Sequence, residues 1–109
     1  MRMNLPSPIA SFFHAFNAKD TDAFLAPFAP DALVADEGHE YRGTATIKGW
    51  FDTVNAKYKP SIEATDLTEV GGEFVVTAQV RGTFPGSPIQ LHYHFTLKDD
   101  KIAALSVVN

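Results

Sequence analysis

Asp36 closes the apolar segment Ala32 to Asp36 and is followed by Glu37, a compact turn Gly38-His39-Glu40-Tyr41-Arg42-Gly43, and an amphipathic stretch. A carboxylate at the end of a strand, with apolar residues before it and a helix after it, is placed to act as a general base in a pocket. Asp36 and Glu37 alternate in direction along a strand, so at most one of them is expected to point inward. The plainer alternative leaves both as solvated turn residues, or pairs one with Arg42. His39, in the turn beside Asp36, is either an acid–base partner or an ordinary loop residue.

Four histidines raise the question of a metal. His92 and His94 share one face of a strand, and His39 and Asp36 could complete a ligand set. Arg81 is expected opposite His92, however, and a guanidinium there disfavours a dication. No metal and no cofactor are therefore expected. The chain has no cysteine, which excludes disulfides and thiolate sites. It has no glycine-rich phosphate loop of either common pattern. No Ser-His-Asp grouping can be argued from spacing.

Nine basic residues against 13 acidic ones give a net charge of −4 over 109 residues. The basic residues are scattered, which argues against nucleic acid as a partner. No apolar run approaches the ~20 residues of a membrane span. The stretch MRMNLPSPIASFF lacks the apolar core and cleavage site of a signal peptide. These readings predict a single cytoplasmic domain over residues 1–109. Nine phenylalanines, mostly in periodic segments, predict an aromatic core or an aromatic-lined cavity.

The elements that must position Asp36 are helices first, then strands. Ser7 is expected to cap a helix with Pro8 at its first position. Ile9, Phe12, Phe13 and Phe16 follow one buried helical face. Asp20 or Thr21 caps a shorter helix carrying Phe24, Leu25 and Phe28, limited by Pro27 and Pro30. Thr44 caps a third, with Ile47, Trp50, Phe51, Val54 and Tyr58 inward and Pro60 as its stop. Trp50, Phe51 and Tyr58 at this spacing read as core, with Trp50 also open to a cavity.

Ser61 to Val70, Glu73 to Phe84, Ile89 to Leu97 and Ile102 to Val108 read as strands. If Phe84 pairs with Ile89 across Pro85-Gly86-Ser87-Pro88, Val80 faces Tyr93, Ala78 faces Phe95 and Val76 faces Leu97. Arg81 then meets His92, and Gln79 meets His94. Alternation alone places Tyr93 on the apolar, helix-facing side, where its hydroxyl needs a hydrogen-bond partner or a ligand. Helices covering the apolar face of a long antiparallel sheet make an α+β fold.

The segments FNAKD, FAPDALVADE, GTATIKGWF and HYHFTLKDDKI, in this order and at these spacings, carry a resemblance that spans nearly the whole chain. It resembles the nuclear transport factor 2-like superfamily, and within it the ketosteroid isomerases and SnoaL-like polyketide cyclases. The resemblance implies a cone-shaped fold of three N-terminal helices on a curved antiparallel sheet, and a homodimer. The outer sheet face, with Gln79, Arg81, His92 and His94, would form the contact. It places Asp36 at the position of the isomerases' catalytic aspartate. Their oxyanion tyrosine falls at Phe12, and their protonated aspartate at Tyr93. In those isomerases an aspartate base works with a tyrosine and a neutral aspartic acid as donors.

The expected function is a small cofactor-free isomerase or cyclase that abstracts a proton next to a carbonyl in an apolar pocket. Asp36 would be the base and Tyr93 the donor, with Phe12, Phe16, Trp50, Phe95 and His39 lining the pocket. The alternative is a non-catalytic domain that binds an apolar small molecule or serves as a dimeric accessory. The fold itself does not choose between them.

Overall fold

The computed structural model describes residues 4–109. Met1, Arg2 and Met3, at the start of the stretch weighed above as a leader, lie outside the described residues. The chain forms helices α1 (Ser7–Ala18), α2 (Thr21–Leu25) and α3 (Thr44–Tyr58). Its strands are β1 (Phe28–Asp36), β2 (His39–Arg42), β3 (Ser61–Val70), β4 (Glu73–Arg81), β5 (Ile89–Lys98) and β6 (Lys101–Val108). The helices pack on a curved mixed sheet in the order β2-β1-β6-β5-β4-β3. No helix among the described residues is long and apolar enough to cross a membrane.

The helices form where the apolar spacing places them, but their caps differ. Pro6, not Ser7, is the N-cap of α1, and Pro8 sits one residue further in than expected. Asp20 caps α2 by accepting a hydrogen bond from the Ala23 amide at 3.2 Å. Gly43, not Thr44, is the N-cap of α3. Phe28 belongs to β1 rather than to α2, because Pro27 has already ended the helix.

Phe12 lies at the centre of an aromatic core and is fully buried. Its ring meets Phe24 at 5.3 Å, Phe95 at 5.2 Å in an edge-to-face contact, and Tyr93 at 6.0 Å between centroids. Phe24 stacks on Phe51 at 4.0 Å. Such geometries add to the area that the rings bury.

The sheet differs from the sequence reading in two ways. First, it is not wholly antiparallel: β1 runs parallel to β6. The short β2 pairs with β1 where only a turn was expected, with Asp36 opposite His39. Glu37 and Gly38 make the connection, with φ of 53° and 76°, as a tight two-residue hairpin requires. Second, β4 and β5 pair four residues out of the expected register. Val80 lies opposite Ile89, Ala78 opposite Leu91, Val76 opposite Tyr93 and Phe74 opposite Phe95.

The cause of that offset is the loop. β4 ends at Arg81, and residues 82–88 form a longer connection in which the Gly82 amide donates to Ser87 Oγ at 2.9 Å. An even offset preserves the faces. Tyr93 is therefore on the buried side, 4% exposed. On the outer face Thr77, not Arg81, meets His92, and Val75, not Gln79, lies opposite His94.

Candidate active site

Register explains how residues distant in sequence meet. Val107 on β6 is paired with Asp36 of β1 on one side and with Tyr93 of β5 on the other. Residues directly opposite across strands point to the same face. Two strand spacings put the Asp36 and Tyr93 backbones about 10 Å apart, with Val107 as the floor between them. All three line one pocket of about 330 Å³. Its far wall is α3, through Trp50, Val54 and Tyr58, and Phe84 and Pro85 of the β4–β5 loop close one side. Glu37, Pro85 and Ile89 are exposed and form a rim open to solvent.

Trp50 fixes the carboxylate. Its Nε1–H donates to Asp36 Oδ2 at 3.0 Å. A carboxylate has about four acceptor sites, so Asp36 keeps capacity for a second partner. Burial pushes its pKa above the usual carboxylate range; the Trp50 N–H pulls it partly back, and the Glu37 charge adds to the rise. These are the conditions that bring an aspartate toward the range of a general base.

Tyr93 is the complementary group. Burial, and then the charge of Asp36, raise its pKa, so the phenol stays protonated. Its side chain makes no hydrogen bond among the described residues, and it borders the pocket. A buried donor without a protein partner is one that a ligand can satisfy.

The predicted site residues divide. Asp36, Tyr93, Phe16 and Trp50 line the pocket. Phe12 and Phe95 do not: both are fully buried in the aromatic core beneath it. His39 is exposed on β2 and does not line the pocket. Glu37 was expected to face away from Asp36, yet both line the pocket. Its left-handed backbone, φ 53°, breaks the alternation on which that expectation rested.

Arg42 pairs with neither carboxylate; it donates to the Asp31 carbonyl. Tyr58, read as core, has its hydroxyl on Glu37 Oε1 at 3.2 Å. Its place at the open end of α3, one turn past Val54, was the available signal. His92 bonds Thr77 at 3.1 Å and His94 bonds Glu73 at 2.8 Å on the outer face. No group of three or more metal-ligating side chains lies together among the described residues.

A chain in which helices cover a curved sheet and enclose a carboxylate and a phenol fits one family in particular. The model of the SnoaL-like domain matches residues 9–105, and the chain belongs to that family. A candidate polyketide cyclase from Sinorhizobium meliloti is 40% identical, with a TM-score of 0.91 over 94% of both chains. A protein from Catenulispora acidiphila with a ketosteroid isomerase-like fold, crystallised with trimethylamine, is 18% identical. It has a TM-score of 0.83 over 97% of this chain and 87% of its own. TerC, co-crystallised with polyporic acid, is 18% identical with a TM-score of 0.80 over 93% and 87%. No protein of curated function matches by sequence.

Proposed function

We propose that the protein is a cofactor-free isomerase or cyclase that removes a proton from carbon next to a carbonyl of an apolar substrate. One observation carries the reading: a carboxylate held by Trp50 and an unpartnered phenol line the same apolar pocket. Asp36 takes the proton from carbon. The C–H electron pair forms the enolate, and the Tyr93 O–H donates to its oxygen as charge develops there. Isomerisation returns the proton to a different carbon. In cyclisation the enolate carbon attacks a second carbonyl of the same molecule, and the resulting alkoxide takes the proton. The 40%-identical candidate cyclase supports this class of chemistry.

The reading is tested by screening carbonyl compounds with acidic α-hydrogens by thermal shift. Deuterium exchange at the α-carbon of each hit is then followed by NMR. Asp36→Asn should lower exchange by about 10³-fold or more, and Tyr93→Phe by about 10²-fold, the scale of losing one oxyanion donor. Full exchange in Asp36→Asn would remove the base from the reading.

A second reading, a non-catalytic binder of an apolar small molecule, is favoured by Phe12. The isomerases that the chain resembles have a tyrosine donor there, whereas this ring packs against Tyr93 and brings no hydroxyl. Binding without α-carbon exchange in any hit would select it. We further propose a homodimer through the outer sheet face, where Gln79, Arg81, His92 and His94 lie; light scattering of the purified protein tests it.

A further inference from the structure

The pocket holds a second carboxylate that proton abstraction does not use. Glu37 sits at the rim with one oxygen on the Tyr58 hydroxyl, and it makes no ion pair among the described residues. Among the described residues Lys57, exposed to solvent, lies over the Tyr58 ring at 5.0 Å, where it feels the Tyr58 hydroxyl first and the Glu37 charge less. Among the described residues no lysine, arginine or histidine lines the pocket. Its walls instead present the rings of Phe16, Trp50, Tyr58, Phe84 and Tyr93. Two carboxylates and several aromatic faces, with no cationic side chain in the lining, attract a cation and repel an anion. Independently, Tyr93 is 4% exposed, lines the same cavity and makes no hydrogen bond among the described residues, so its hydroxyl is left for a ligand.

We propose that Glu37 and Tyr58 form a rim subsite for the ammonium group of an apolar amine, so that the pocket takes cationic and neutral ligands and excludes carboxylates. The inference rests on the reading of this pocket as a ligand site, and it narrows the substrate class to apolar carbonyl compounds that carry an amine. The Tyr58 hydroxyl holds Glu37 in place, while its ring already carries Lys57 at 5.0 Å and packs against Phe84 at 5.7 Å. The second Glu37 oxygen is free to accept the ammonium N–H. An anionic ligand would enter past the exposed Glu37 toward Asp36, whose half-buried charge solvent screens less fully.

Naphthol, naphthylmethylamine and naphthoate, matched in ring and attachment position, test this by calorimetry at neutral pH. The three share one ring and carry a neutral, a cationic and an anionic group. The protonated amine should bind about tenfold tighter than naphthol, and naphthoate should bind weakest. Glu37→Gln should lower amine affinity by about tenfold and leave naphthol within about twofold. Tyr58→Phe should lower amine affinity less, because the carboxylate remains. Equal affinities, or an amine preference unchanged in Glu37→Gln, would overturn the subsite while leaving the pocket reading intact. Failure of all three to bind would overturn both.

Discussion

Asp36 works against the fold that holds it. Its carboxyl pKa is raised by burial, so the charged form is less favourable in the folded chain than in the unfolded one. Between the ordinary aspartate pKa, about 4, and the raised value, the folded chain binds a proton that the unfolded chain has released. Stability therefore falls as pH rises through that window, and the penalty persists above it. Asp36→Asn should melt at a higher temperature than the parent at pH 7, by an amount under about 1 kcal/mol because the group is partly solvated. At about pH 3 the two should melt together. Calorimetry at both pH values checks this, and equal melting temperatures at pH 7 would contradict it. The proposed activity has the opposite dependence: α-carbon exchange should rise with pH as Asp36 ionises. Trp50→Phe removes the hydrogen bond that lowers the Asp36 pKa, and should move the midpoint of the pH–rate profile upward. A midpoint that stays put or falls would show that the indole does not tune the base.

At the scale of elements, the β4–β5 loop joins the sheet to α3 and to the rim. The Thr83 amide and hydroxyl both donate to the Tyr58 carbonyl, at 2.7 and 3.2 Å, satisfying an acceptor that α3 leaves open at its end. Gly82 makes the approach possible: a Cβ there would lie 2.5 Å from the same carbonyl and 2.9 Å from the Phe84 ring. Gly82→Ala should force the loop away from the helix, costing about 1–3 kcal/mol and weakening ligand binding as Phe84 and Pro85 move. Chemical denaturation and a ligand titration measure the two effects together.

Some features of these elements leave a local trace in the sequence. Helical spacing placed Phe12, Phe16 and Trp50 inward, and alternation placed Tyr93 inward, because burial imposes those periods on the chain itself. The β4–β5 register was four residues out because a loop that bonds to itself, through Gly82 and Ser87, looks like strand until its contacts are known. The partnership of Asp36 with Trp50, the hairpin through β2, and the parallel pairing of β1 with β6 depend on segments that meet only in the folded chain. Glu37 entered the pocket through a backbone conformation that its side chain does not announce.

For the whole molecule, the aromatic core and the pocket are two layers of one interior. Phe12 and Phe95 fill the lower layer completely, so the cavity lies beside the core and not in place of it. Phe12→Ala should cost about 3–5 kcal/mol and lower the melting temperature sharply. Because Tyr93 rests on that ring, the same variant should also weaken ligand binding at temperatures where it remains folded. Unchanged binding would separate the two layers.

The parallel pairing of β1 with β6 sets an order in time. Asp36 emerges from the ribosome early and Val107 late, yet the base has no floor and no Tyr93 across from it until that last strand docks. For most of its synthesis the chain therefore carries the chemical groups of the site without the site. Because this closure joins strands far apart in sequence, it belongs to the slow, non-local steps of folding. A nascent chain stalled before β6 should leave its acidic hairpin unpaired on one side, and any ligand that needs both Asp36 and Tyr93 should find nothing to bind until translation passes Val107.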